Sequence, residues 1–160
     1  MDTLWTRPLQ VLTVVCSAVF VLGTAAQAFL VIDTDLVAHA MRLAGTSAAA
    51  AERDAPGFVA ALRVTGLAYL LGNAVGLLAL TGRAWVFAVV LVVNATQAAG
   101  VVAGLVPVVV LQASHDRFGV PGLLPTLVTD AGAALLVLVL VGFLVRFRAP
   151  WARRRTAVRA

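Results

Sequence analysis

Residues 58–111 read FVAALRVTGLAYLLGNAVGLLALTGRAWVFAVVLVVNATQAAGVVAGLVPVVVL. The stretch carries two arginines, Arg63 and Arg83, and no acid. A helix crosses a bilayer with about 20 mostly apolar residues, and each side of the Gly82-Arg83 pair is at least that long. So short a connection permits only a tight reversal. The stretch therefore predicts two antiparallel transmembrane helices, 58–81 and 85–111, with Pro107 bending the second and freeing a carbonyl.

Two further apolar runs flank this hairpin, 9–32 and 123–145. Pro8 stands at the start of the first, where a missing N–H costs little because first-turn donors have no intrahelical partner. Composition agrees: 62% of the 160 residues are hydrophobic and 12% charged, against about 45–50% and about 25% in soluble domains. Mean hydropathy is +1.02. The expected fold is all-α, one integral membrane domain over 1–160 built as an antiparallel bundle of four transmembrane helices. An alternative takes Arg7, the run 11–23 and Thr24-Ala25-Ala26-Gln27-Ala28 as a cleaved signal peptide, leaving three spans. The apolar character continues through Phe29, Leu30, Val31 and Ile32, which favours a full span.

The net charge of +5 comes from 12 basic residues, all arginine, against 7 acids. With both termini inside, the inner segments hold Arg7, Arg83, Arg146, Arg148, Arg153, Arg154, Arg155 and Arg159 against Asp2. The outer loops hold Arg42, Arg53 and Arg117 with Asp33, Asp35, Glu52, Asp54 and Asp116, while Arg63 lies within the second span. This is the positive-inside pattern, and it predicts an N-in/C-in, multi-pass protein of the cytoplasmic membrane. The arginine-rich tail 146–160 anchors the last span and attracts anionic lipid headgroups. Arginines placed beside apolar runs set orientation, so no nucleic-acid partner is expected. Cys16 is the sole cysteine, which excludes an intrachain disulfide and a CxxC pair.

In the first outer loop, 33–57, Asp33-Thr34-Asp35 precedes Leu36, Val37, Ala40, Met41 and Leu43, an N-cap signal followed by an amphipathic stretch. It predicts a short interfacial helix. Glu52-Arg53-Asp54-Ala55-Pro56-Gly57 combines charges and breakers and reads as loop. The second outer loop, 112–122, reads as short and polar.

Polar side chains at membrane depth are costly and turn toward neighbouring helices. Thr13, Cys16, Phe20, Gly23, Thr24 and Gln27 share a stripe of the first span; Arg63, Gly66, Leu70 and Asn73 share one in the second; Asn94, Gln97, Val101 and Gly104 in the third; Thr126, Asp130, Ala134 and Val137 in the fourth. At about 1.5 Å rise per residue, Arg63 and Gln27 lie about 8 Å and Asp130 about 10 Å below the outer span ends. Asn73, Asn94 and Gln97 lie roughly 21–25 Å down, level with Cys16 and Ser17. Two layers result: an outer one built on an Arg63–Asp130 ion pair with Gln27, and a midplane amide layer. Such layers either bridge helices for about 0.6–2 kcal/mol per contact or form a ligand-binding or proton-linked pocket.

Gly72-xxx-Gly76 and Gly100-xxx-Gly104 permit close helix contact, within the hairpin or between two copies. His39 and His115 fall near Asp33, Asp35 and Asp116, a weak metal signal; Asp35 and His39, one helical turn apart, more simply form a surface pair. HExxH, GxSxG, a Walker-type glycine loop and paired intramembrane histidines are all missing, so the residues point away from an enzyme and name no cofactor.

The order of a first span, an outer amphipathic loop, Arg63-Val64-Thr65-Gly66 opening a second span, a tight Gly82-Arg83 turn and an acid early in the fourth resembles the small DoxX-like four-helix membrane proteins. The resemblance implies the fold and directs attention to Arg63 and Asp130; some members of that wider group are linked to membrane redox and quinone chemistry. Two functional expectations stand. One is a non-catalytic accessory subunit that binds membrane lipids and a membrane protein partner or a second copy. The other is a quinone-linked redox subunit or small-molecule carrier with an outward-facing pocket at Gln27, Arg63 and Asp130.

Overall fold

The computed structural model describes residues 1–102 and 108–153, and every regular element among them is helical. Six helices follow in order: α1 (Thr6–Val31), α2 (Thr34–Leu43), α3 (Ala48–Thr81), α4 (Ala84–Val102), α5 (Val108–Phe118) and α6 (Val120–Phe147), with a final turn at Pro150–Ala152. Helices α1, α3 and α6 are long and apolar enough to cross a membrane, and α4 contributes a shorter apolar stretch, Ala84–Gly100. In none of the three is more than 28% of the most apolar stretch buried within the protein. The remaining apolar surface requires a non-aqueous solvent, as expected of a multi-pass membrane protein.

Helix α1 packs against α3 and α6, and α4 packs against the same two. Lipid tails are as apolar as leucine, so close approach and polar contacts hold such helices together more than exclusion from water. Gly72 and Gly76 supply the approach: a Cβ on Gly72 would sit 2.7 Å from Val93 of α4, and one on Gly76 would collide with Ser17 Oγ and lie 2.8 Å from its Cβ. The pair serves two neighbours, α4 and α1. The α3–α4 reversal is as tight as predicted, with Gly82 at φ 65°, a conformation that glycine adopts without steric cost. The expectations for Gly104, for a bend at Pro107 and for Arg154, Arg155 and Arg159 lie outside the described residues.

Several boundaries differ from the sequence expectation. Asp33 caps α2 as predicted, accepting from the Leu36 N–H at 2.9 Å. The charged stretch 52–57 is helix rather than loop, because α3 begins at Ala48, capped by Ser47, and runs through Pro56. Pro56 removes one helical hydrogen bond, yet Glu52 and Pro56 are exposed, so the freed carbonyl is not stranded in the interior. What keeps the segment helical is its other face: Ala51, Ala55 and Val59 are buried against Val37 and Ala38 of α2. Leu36 and Ala40 of α2 pack on Ala113 of α5. The short amphipathic helix is thus held between two helices, and 112–122 is helical on both sides of Gly119.

The opposite end is closed by the chain's own C-terminal segment. Trp151 is 0% exposed, donates its indole N–H to the Arg83 carbonyl at 2.9 Å and meets Phe87 edge-on at 5.1 Å. Arg153 donates to the Gly82 carbonyl and to Asp2, each at 2.8 Å, and Thr3 Oγ1 donates to the Ala152 carbonyl at 2.7 Å. Trp151 and Ala152 adopt φ of 58° and 53°, an unfavourable region for residues with a Cβ; burial of the indole offsets that strain. Up to Arg153, the segment predicted to be a basic anchor is a folded strap.

Candidate functional site

Buried polar groups gather on three neighbouring helices. Asn73 of α3 donates from Nδ2 to Gln97 Oε1 of α4 at 3.0 Å. Gln97 and Asp130 of α6 border a common cavity. Thr129 Oγ1 donates to Asp130 Oδ1 at 3.1 Å. The midplane amides and the acid, assigned by depth to separate layers, meet at one space, because Gln97 bonds Asn73 and lines the cavity with Asp130. Asn94 does not join them: its Nδ2 returns to the Val90 carbonyl of its own helix at 2.8 Å.

Asp130 lies in a π-helical turn, Leu127–Ala131, and Gln27 opens another, Gln27–Val31. A π-turn inserts an extra residue into the helical repeat and rotates the faces beyond it; such turns are frequent at functional sites. The inward stripe of α6 accordingly becomes Thr126, Thr129, Asp130, Ala133, Leu136 and Leu140, in place of the predicted Ala134 and Val137. In α1 the buried polar residues are Thr6, Gln10, Thr13, Ser17 and Thr24, and Cys16 is only half-buried beside them.

A cavity of about 160 Å³ separates α1, α3, α4 and α6 at this level. Asp130, Gln27, Gln97, Thr24, Thr65 and Tyr69 line it, with Ala28, Ile32, Leu62, Gly66 and Gly100 as the apolar and small parts of its wall. Asp130 is 8% exposed. Thr24 is 7% exposed, and its hydroxyl oxygen has no hydrogen-bond partner. Leu62 and Thr65 are exposed on α3 and form the rim.

The predicted Arg63–Asp130 ion pair does not form. Arg63 is exposed and outside the cavity wall, and among the described residues the ion pairs are His39–Asp116, Arg53–Asp54, Arg117–Asp33 and Arg153–Asp2. At about 100° per residue, Arg63 sits about 80° around the helix from Asn73. The face of α3 that turns inward runs through Leu62, Thr65, Gly66, Tyr69 and Asn73 instead. A guanidinium on the outer side of that stripe reaches water or headgroups more cheaply than a buried carboxylate.

Tyr69, the only tyrosine, and Thr65 escaped the sequence reading. Their signal was the i, i+3, i+4, i+7 run Leu62, Thr65, Gly66, Tyr69, which competes with the run starting at Arg63. Of the predicted site residues, Gln27, Gln97 and Asp130 meet at the cavity; Asn73 supports it through Gln97; Asn94 and Arg63 stand apart.

At the other polar cluster His39 pairs with Asp116 of α5 at 3.1 Å, not with Asp35, because α2 packs on α5. Arg117 pairs with Asp33 at 2.6 Å. Asp33 is partly buried, which works to raise its pKa, but the Leu36 N–H and the Arg117 guanidinium outweigh this and hold the carboxyl below its ordinary value. Among the described residues no three His, Cys, Asp or Glu side chains converge as a metal site. No family model, no curated protein and no solved structure matches the chain.

Proposed function

We propose that this is a four-span, N-in/C-in protein of the cytoplasmic membrane that binds a small molecule in the Asp130 cavity. The carrying observation is a buried carboxylate beside an open cavity whose wall, among the described residues, holds no cationic side chain, next to a buried hydroxyl without a partner. Ser17 Oγ, Asn73 Oδ1 and Asn94 Oδ1 also lack partners, but α3 closes tightly on Ser17, whereas space is left beside Asp130 and Thr24. The orientation rests on the arginines, which are concentrated toward the end that carries Arg83, Arg153 and Asp2, with the cavity on the opposite, outward half.

The DoxX-like resemblance supports this reading through its layout and through two of its local marks, since Gly66 and Asp130 both border the cavity while Arg63 does not. The work of the protein is then to hold or pass a small molecule, as a carrier or as a subunit of a membrane redox system. The accessory-subunit reading draws on the exposed apolar helix faces, which membrane lipid covers equally well. Native mass spectrometry of protein extracted gently from its membrane tests the proposal. A retained small molecule that disappears in Asp130→Asn is the expected result; a bare chain, or one carrying only a stoichiometric protein partner, overturns it.

A further inference from the structure

We infer that the Asp130 cavity takes a small organic cation, a protonated amine joined to an apolar body about the size of one ring. This rests on the small-molecule reading above and names the chemical class of the ligand.

Charge comes first. Among the described residues, Asp130 is the only carboxylate or cationic side chain in the cavity wall. Its polar neighbour Thr129 contributes a neutral donor. A carboxylate removed from water is stabilised by an opposite charge far more than by neutral donors, and the arginine nearest in sequence pattern, Arg63, is turned away. The missing positive charge is therefore one that a ligand can bring. An anionic ligand would meet the carboxylate at close range and be repelled.

Hydrogen bonding and shape agree. An ammonium group offers several donors and no acceptor, so it needs oxygens. Asp130 supplies its carboxylate, Gln27 its amide oxygen, and Thr24 the hydroxyl oxygen left without a partner. One nearby donor, the Thr129 hydroxyl, is already directed at Asp130. Tyr69 borders the same space, and an aromatic side chain attracts cations, most strongly where water is excluded. Ala28, Ile32 and Leu62 provide the apolar remainder of the wall. At about 160 Å³ the cavity matches the roughly 150 Å³ engineered cavity that accommodates benzene, which sets the upper size of the body.

The experiment uses the full chain in lipid nanodiscs, with empty nanodiscs as the partition blank, and three probes of one shape: benzylamine, benzyl alcohol and benzoate. Ligand-observed NMR at neutral pH reads binding. Benzylamine is expected to bind, benzyl alcohol about tenfold more weakly, as befits loss of a charge-assisted hydrogen bond, and benzoate not at all. Asp130→Asn should abolish the preference for amine over alcohol, and Thr24→Val should weaken amine binding severalfold while leaving the helical content and elution volume unchanged. If the alcohol binds as well as the amine, or if the preference survives in Asp130→Asn, the cation assignment is overturned while the pocket itself stands. Failure of all three probes overturns the assignment too, and the native mass spectrum then shows whether the small-molecule reading falls with it.

Discussion

The half of the molecule toward Gly82 and the half toward Gly119 both bury polar side chains between helices, but they treat the space around them differently. Toward Gly82, Gly76 lets α1 close down until Ser17 touches α3, Val86, Val90 and Leu140 are buried beside it, and Trp151 seals the end. Toward Gly119, α1 and α6 each pass through a π-turn, and the polar groups border a cavity. The difference teaches that a polar residue in a membrane helix is not itself evidence of a site. What separates glue from site is whether the backbone beside it closes or stands off, and that is set by small residues on one side and helical irregularity on the other.

The largest expected effect lies in the closed half. Trp151→Ala should destabilise the protein by about 3–5 kcal/mol, the usual cost of truncating a buried aromatic, whereas Trp151→Phe should lose only about 1 kcal/mol with the bond to the Arg83 carbonyl; reversible unfolding in mixed micelles measures both. Next, Gly76→Ala should cost about 1–3 kcal/mol through overpacking against Ser17. Combining it with Ser17→Gly should restore much of that loss, a coupling that a double-mutant cycle detects and that would vanish if the two helices were not in contact. Asn73→Ala removes one interhelical bond and should cost about 0.6–2 kcal/mol.

The open half should respond differently. Thr24→Val removes a buried hydroxyl that has no partner and keeps the shape, so unliganded stability should hold or rise slightly. A clear loss in unliganded protein would show that the hydroxyl has a structural partner and would erase the contrast between the halves. The smallest effect concerns the Gly119 end. The Asp33 carboxyl is held below its ordinary value by Leu36 and Arg117, so its contribution is full above the unfolded-state pKa and is lost as pH falls through the lower, folded one. The protection of α2 amides against hydrogen exchange, taken relative to the intrinsic rate at each pH, should fall on acidification below the usual carboxylate range, and Asp33→Asn should flatten that response. The ion pair is partly exposed, which keeps its share small.

Much of the helical layout was readable from periodicity, because runs such as 9–32 and 123–145 differ so sharply from the charged segments between them. The Asp33 cap and the Gly82 turn were equally legible, since each depends on local chemistry. Pro56 misled for a physical reason: breaker residues act on an isolated helix, while Ala51, Ala55 and Val59 gain a partner in α2 that no local reading contains. The site was legible in kind and partly in membership. Gln27, Gln97 and Asp130 followed from the cost of polar groups in lipid, but Arg63 was assigned to the acid by depth alone, and depth leaves the angle around the helix undetermined.

By itself, the sequence determined that the chain needs a non-aqueous solvent, roughly where its helices run and which polar residues they bury, because transfer energies and helical periodicity act residue by residue. The tertiary structure alone decided which of those residues meet. Two π-turns rotate the faces of α1 and α6, Gly76 draws one half shut, and Gln97 bonds Asn73 while bordering the cavity that Asp130 lines. Each depends on the angle and distance between whole helices, and these are set by packing summed over many contacts that no single stretch of chain encodes.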